Sequence, residues 1–81
     1  MDDLENRHAA IWAAIDAIAE RKGISPSRLA IISGHDKTAF NKSKRTKHGE
    51  PRWLSTETIA KVIAATGMTW TEFGRMVDKG G

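Results

Sequence analysis

The residues with the clearest chemical potential in this chain lie in one short stretch. They are Lys37, Thr38, Asn41 and Lys42. Side chains of these types read base edges in duplex DNA, because asparagine can pair with adenine through two hydrogen bonds and lysine can donate to guanine. The stretch therefore predicts contacts with bases, while the residue types leave open which bases are met.

A second group of mostly basic residues surrounds this stretch and could bind phosphate oxygens. These candidates are Ser25, Lys44, Arg45, Lys47 and Arg52. Between residues 37 and 52 lie six of the thirteen basic residues and one acid, Glu50, whereas acids prevail in the first twenty residues. Such one-sided charge is typical of a nucleic-acid-binding surface, although a merely solvated charged loop has the same composition.

Other kinds of site find little support. The chain has no cysteine, so disulfides and thiolate metal sites are excluded. His35 and His48 flank the basic stretch without a third ligand at a familiar spacing, and His8 has no recognisable catalytic partner. Paired carboxylates, a nucleophile elbow and a glycine-rich phosphate loop are also missing. We therefore expect no enzyme, cofactor or metal ion.

The composition also bears on where the protein works. No apolar run approaches the roughly 20 residues of a membrane span. The start, Met1-Asp2-Asp3, has the wrong charge for a signal peptide. We expect a cytoplasmic protein.

The base-reading stretch needs a scaffold, and the sequence predicts a helix-turn-helix over about 25–45. Ser25, followed by proline, is suited to cap the first helix. Gly34 is suited to a turn with positive φ. Asp36 can cap a second helix, 37–45, which would enter the major groove as the recognition helix.

Three further helices are expected, giving an all-α fold of five helices in one domain, 1–81. Acids early and bases late favour the first helix, and a threonine–glutamate capping box introduces the last. The predicted limits are about Asp3 to Lys22, then Ser55 to Gly67, then a last helix that begins at Thr69-Trp70-Thr71-Glu72.

The remaining segments are predicted to be irregular. Gly49 and Pro51 interrupt any periodicity in the basic loop, 44–54. Trp53 is expected to anchor the end of this loop against the core, with stacking on a base as the alternative. Residues 78–81 are expected to form a tail.

Apolar residues at helical spacing predict a single core. Its expected members are Ile11, Trp12, Ile15, Ile18, Leu29, Ile32, Phe40, Ile59, Val62 and Ile63. Trp70, Phe73 and Val77 share one face of the last helix. This face is predicted to support a weak homodimer, the alternative being that Trp70 and Phe73 cap the core.

The order Leu29-Ala30, then Gly34, then Phe40 resembles the helix-turn-helix of lambda-repressor-like (Cro/CI, XRE-type) regulators. His35 and Ser43 depart from the usual apolar residues of that motif. The later segment 59–73 also resembles the family in its helix, glycine, hydroxyl cap and glutamate. The likeness covers roughly residues 11–77.

The segment from Pro51 to Glu57 is similar, more narrowly, to the N-terminal DNA-binding domains of phage-repressor-type regulators. Such regulators often carry a LexA-like serine-peptidase domain at the C-terminus. No residues here correspond to that domain, so the resemblance implies no self-cleavage.

The resemblance implies a sequence-specific transcriptional regulator that binds double-stranded DNA, with an inverted-repeat operator bound by a dimer. The alternative is a small helical protein-interaction module or an antitoxin. Neither requires a polar, basic helix after a glycine turn, and this feature favours DNA. RNA is less favoured because no exposed aromatic platform is evident.

Overall fold

The computed structural model describes residues 3–80, which form a mostly helical domain with one short strand pair. Met1, Asp2 and Gly81 lie outside the described residues, and so do the expectations that concern them. The elements are α1 Asp3–Lys22, α2 Pro26–Ile32, a 3-10 helix Lys42–Lys44, β1 Thr46–Lys47, β2 Glu50–Pro51, α3 Thr56–Thr66 and α4 Trp70–Gly80.

The helix ends follow the local signals of the sequence. The first helix has the predicted limits, with acids in its first turn and Arg21 and Lys22 in its last turn. The Ser55 hydroxyl accepts a hydrogen bond from the Thr58 amide at 3.0 Å and caps α3. Thr69 and Glu72 form the predicted capping box through reciprocal hydrogen bonds of 2.9 and 3.1 Å.

The core lies between α1 and the three other helices. The buried apolar residues are Ala10, Trp12, Ala14, Ile15, Ile18, Ala19, Leu29, Ala30, Phe40, Val62, Ile63 and Phe73. Ile11 and Ile59 are partly buried against this cluster. Most of the predicted core is therefore confirmed.

Ile32 is the exception, because 42% of it is exposed. The buried positions of α2 and its cap are Leu29, Ala30 and Ser33. At 100° per residue this face is centred about 100° away from Ile32, so the isoleucine lies on the flank of the helix.

The predicted second helix of the helix-turn-helix, 37–45, is not formed. Residues 37–40 are in turns, and Asn41 is extended with φ −66° and ψ 149° before the three-residue 3-10 helix. The described residues therefore contain four α-helices instead of the predicted five.

The carbonyl groups of this segment explain why. Those of Ala39 and Lys44 accept hydrogen bonds from the Arg52 guanidinium, and that of Phe40 accepts one from Arg45. In an α-helix over 37–45 the carbonyls of Ala39 and Phe40 would accept from backbone amides four residues on. Arginine side chains take their place and stabilise a non-helical backbone.

The end of the chain also differs from the prediction. Asp78 and Lys79, expected in a tail, belong to α4, which continues to Gly80. The glutamate of the capping box and the packing of α4 against α1 both favour this continuous helix.

Candidate nucleic-acid interface

The first part of the predicted motif is formed as expected. The Ser25 hydroxyl accepts a hydrogen bond from the Arg28 amide at 3.1 Å and caps α2. Gly34 has φ +82°, and the amides of Gly34 and His35 donate to the carbonyls of Ile31 and Ala30 at 3.0 and 2.9 Å. This pair of bonds is a Schellman motif, which ends α2 and aims the chain into the basic segment.

Asp36 organises the turn that follows. Its carboxylate accepts hydrogen bonds from the hydroxyl and the amide of Thr38, the latter at 3.2 Å. These two bonds, the hydroxyl first, hold the pKa of Asp36 below its usual value, and Lys44 and Lys37 add to the effect. Asp36 thus stabilises the first turn after Gly34, but no α-helix begins there.

Arg45 attaches the basic segment to α1. Its guanidinium donates to both carboxylate oxygens of Asp16 at 2.7 and 2.9 Å and to the Phe40 carbonyl at 3.0 Å. It also lies over the ring of buried Trp12, 4.7 Å from the centroid. Only 14% of the Arg45 side chain is exposed. Arg45 was predicted to contact phosphate, but its donors are directed into the protein.

Arg52 fixes the far end of the segment. Its amide donates to the Arg45 carbonyl at 2.9 Å, and its guanidinium donates to the Lys44 carbonyl at 3.1 Å. The Arg52 carbonyl accepts from the Trp12 indole at 3.1 Å and lies 3.0 Å from Nε2 of His8. The Trp12 indole of α1 therefore binds this carbonyl and holds the end of the segment in place.

Between these anchors lies a β-hairpin where the sequence predicted an irregular loop. Thr46 pairs with Pro51 and Lys47 with Glu50 in antiparallel register. The two connecting residues, His48 and Gly49, have φ +55° and +79°. Positive φ at both positions is characteristic of the type I′ turns that close two-residue hairpins.

The basic surface that results is formed by four exposed lysines. They are Lys37, Lys42, Lys44 and Lys47. Within residues 3–80, the close ion pairs join Arg7 to Asp3, Arg45 to Asp16 and Lys61 to Glu57, so none involves these lysines. Their ammonium groups are available to an anionic partner.

Most of the predicted base and phosphate contacts line two open surface grooves, whereas Lys37 is exposed and lines neither of them. Asn41 and Lys42 line one groove together with Asp16 and the start of α2. Thr38, Lys44, Lys47 and Arg52 line the other. Ser25 is exposed at the cap of α2, where its hydroxyl already accepts the Arg28 amide.

Trp53 does not occupy the position that the sequence predicted. Trp53 is 46% exposed and makes an edge-on contact with His8, with ring centroids 5.3 Å apart. Leu54, the next residue, packs against the core in its place. Trp12 is buried as predicted, and its bond to the Arg52 carbonyl provides the anchor expected of Trp53.

The predicted dimer face is only partly open. Phe73 is buried in the core, and Val77 is partly buried against it. Trp70 is 52% exposed. The alternative prediction was that Phe73 and Trp70 cap the core, and this holds for Phe73 but not for Trp70.

Asp16 is the residue that sequence reasoning missed. It was counted only among the acids of the first helix, yet it is the partner of Arg45. A signal was present, since Asp16 lies four residues after Trp12 and beside Ile15 at the edge of the apolar stripe. A carboxylate at the edge of a buried stripe favours a nearby cation as its partner.

No group of three or more histidine or acidic residues that could bind a metal ion occurs within residues 3–80, and no helix in that range is long and apolar enough to cross a membrane. Comparison with family models, curated proteins and solved structures gave no match. The functional argument therefore rests on the chain itself.

Proposed function

We propose that this protein is a sequence-specific regulator that binds double-stranded DNA through the segment 37–52. The observation that carries the proposal is the set of four exposed lysines, which form no close ion pair within residues 3–80, on a segment joined to α1 by the Arg45 side chain and the Arg52 carbonyl. A charged loop that served only as a solvated connection would not need these anchors.

The charge of this surface gives a quantitative expectation. Each phosphate neutralised by a lysine releases counterions, and the slope of log K against log salt is about −0.9 per contact. Four contacts correspond to a slope of about −3.6, or roughly a 150-fold loss of affinity between 50 and 200 mM salt. This slope is that of a DNA-binding surface of modest size.

The base contact in this proposal is made by Asn41, which lies between a turn and a 3-10 helix instead of on an α-helix, while the four lysines contact phosphates. Asn41 precedes the 3-10 helix in extended conformation, and Lys42 begins it. Both lie at the surface beside the start of α2. An asparagine amide in this position can pair with adenine through two hydrogen bonds in the major groove.

The sequence resemblance of Leu29-Ala30, Gly34 and Phe40 to lambda-repressor-like regulators adds a dimer on an inverted repeat to the proposal, but not the recognition helix, which is not formed here. Trp70 is the large exposed apolar residue that α4 would contribute to such a dimer. Selection from a random duplex library tests the class and the symmetry together. We expect an enriched inverted repeat of two half-sites.

A library without any enriched motif, combined with equal affinity for all duplexes, would contradict sequence-specific binding. Absence of all duplex binding would instead favour the alternative, a helical protein-interaction module or an antitoxin. The matched control is a variant in which Lys37, Lys42, Lys44 and Lys47 are replaced by glutamine. It preserves the anchors and is expected to enrich nothing.

A further inference from the structure

The β1–β2 hairpin, like the 3-10 helix before it, contributes no residue to the buried core. Thr46, Lys47, Glu50 and Pro51 are all exposed, and so are the two turn residues. An isolated two-stranded hairpin is at best marginally stable in water. Its order here comes from the bonds at its base, which hold an exposed element on the surface of the domain.

Those hydrogen bonds hold the base of the hairpin in place. The Arg52 amide extends the ladder to the Arg45 carbonyl, and the Arg52 guanidinium binds the Lys44 carbonyl across the base. Pro51 has no N–H group to donate. It pairs with Thr46 at a non-hydrogen-bonded position of the ladder, where the strand pairing requires no N–H. The hairpin thus projects from a fixed base.

The charges of the hairpin and its base suit duplex DNA. Lys47 lies on β1, and Lys44, Thr38 and Asp36 line the adjoining groove. Glu50, the single acid between residues 37 and 52, lies directly opposite Lys47, and within residues 3–80 neither forms a close ion pair. A phosphate approaching the hairpin would be attracted by Lys47 and repelled by Glu50.

The dimensions distinguish between the two grooves of DNA. Paired strands lie about 4.8 Å apart before side chains are added, so with side chains the ribbon is too wide for an undistorted minor groove about 6 Å wide. The major groove, about 12 Å wide and 8.5 Å deep, admits a two-stranded ribbon. Thr46 to His48 spans about 7 Å along the strand, so the tip reaches most of that depth.

From this geometry we propose that the β1–β2 hairpin is a second DNA-contacting element, which enters the major groove with His48 at its tip. Lys47 pairs with a phosphate at the edge of the groove, and Glu50 reduces the affinity. This inference rests on the proposed function, since it specifies how the same surface meets duplex DNA.

The first test is Glu50→Gln, which removes the repulsive charge and keeps the shape. We expect the affinity for the library-selected duplex to rise about two- to fivefold near 0.1 M salt, in the range of surface charge pairs. The gain should fade at high salt because of screening. Asp78→Asn, with the same change in net charge at an exposed position of α4, should leave the affinity unchanged.

The second test maps the hairpin directly. The chain has no cysteine, so Thr46→Cys offers a single attachment point for iron-EDTA. We expect localised cleavage of both strands within the selected site, shifted toward the 5′ ends as for a radical source in the major groove. Asp78→Cys carrying the same group should not give this localised pattern.

The two levels of the proposal fail differently. If the parent protein binds no duplex, the proposed function itself is wrong. If the parent binds but Glu50→Gln behaves like Asp78→Asn and Thr46→Cys cleaves like Asp78→Cys, the hairpin does not contact DNA. Cleavage at Thr46→Cys shifted toward the 3′ ends would place the hairpin in the minor groove and overturn the assignment.

Discussion

Replacing Arg45 by methionine is the perturbation that most clearly separates a structural role of this residue from a direct role in DNA binding. Methionine retains much of the apolar stem of arginine but removes the guanidinium that joins Asp16, the Phe40 carbonyl and the Trp12 ring. If these contacts hold the basic segment on α1, the variant loses both stability and DNA affinity. If Arg45 only binds phosphate, stability is unchanged.

The magnitude follows from the burial of the two partners. Breaking a fully buried ion pair costs about 3–5 kcal/mol, because the remaining charge is unpaired. Here 40% of the Asp16 side chain is exposed and can regain water, so the cost is discounted to about 2 kcal/mol. For a domain of this size that corresponds to a fall in melting temperature of about 8–16 °C.

Asp16→Asn tests the other side of the pair. It leaves the Arg45 guanidinium, with only 14% of its side chain exposed, without a carboxylate, so we expect a cost similar to that of Arg45→Met. Because both substitutions remove the same contact, the double variant should be about 1–2 kcal/mol more stable than the sum of the single effects predicts.

Thermal and urea unfolding, followed by circular dichroism, measure these changes. Arg7→Met is the matched control, because Arg7 and Asp3 form an exposed pair on α1 with side chains 63% and 75% exposed. We expect that control to stay close to the parent. An Arg45→Met variant that melts like the parent, but whose salt slope for DNA falls by about one unit, would refute the structural role and restore the phosphate contact.

Three further predictions follow from single residues. Gly34→Val should lower the free energy of unfolding by about 1–2 kcal/mol, because φ +82° strains a branched residue although a Cβ would meet no atom within 4 Å. A variant that melts at the same temperature as the parent would contradict this. Gly74→Ala inside α4 should instead raise the free energy of unfolding by about 0.5–1 kcal/mol. Asn41→Ala should reduce the preference for the selected duplex by about 1–3 kcal/mol, while Lys47→Ala should weaken selected and scrambled duplexes alike and lower the salt slope by roughly one unit; titrations with both duplexes separate the two effects. Because the pKa of Asp36 is lowered in the folded state, its contribution to stability is present above the ordinary value of 3.8 and is lost as pH falls through the folded-state pKa. Unfolding titrations from pH 5 to 2.5 should therefore show a smaller loss of stability for Thr38→Val than for the parent.

The helix ends could be predicted from sequence because their signals are local. The caps at Ser25 and Ser55, the capping box at Thr69 and the turn at Gly34 each depend on partners within about five residues. Such contacts form wherever the chain adopts a helix, so residue types at fixed spacing are sufficient to locate them.

The segment 37–45 could not be predicted in the same way, because distant residues determine its backbone. Asp16 is 29 residues from Arg45, and Arg52 reaches back 13 residues to the Ala39 carbonyl. Local signals, with Asp36 as a cap and polar residues after it, favoured a helix. Tertiary contacts of the two arginines outweigh that preference.

The hairpin gave a signal that was too weak to interpret. His48 precedes a glycine, and histidine tolerates positive φ better than most residues. The strands, however, have only two residues each and no alternation of apolar and polar side chains. Hairpins are recognised in sequences mainly by that alternation, so the turn alone did not identify one.

The most direct test of the central claim is the salt dependence of binding to a duplex that contains one selected half-site. For the parent protein we predict a slope of log K against log salt of about −3.6 between 50 and 200 mM, from four lysine–phosphate contacts. Replacing Lys37, Lys42, Lys44 and Lys47 by glutamine should bring the slope close to zero with α1 to α4 still folded. A parent slope shallower than about −1, or a variant that binds as tightly as the parent, would contradict the assignment of this surface to DNA.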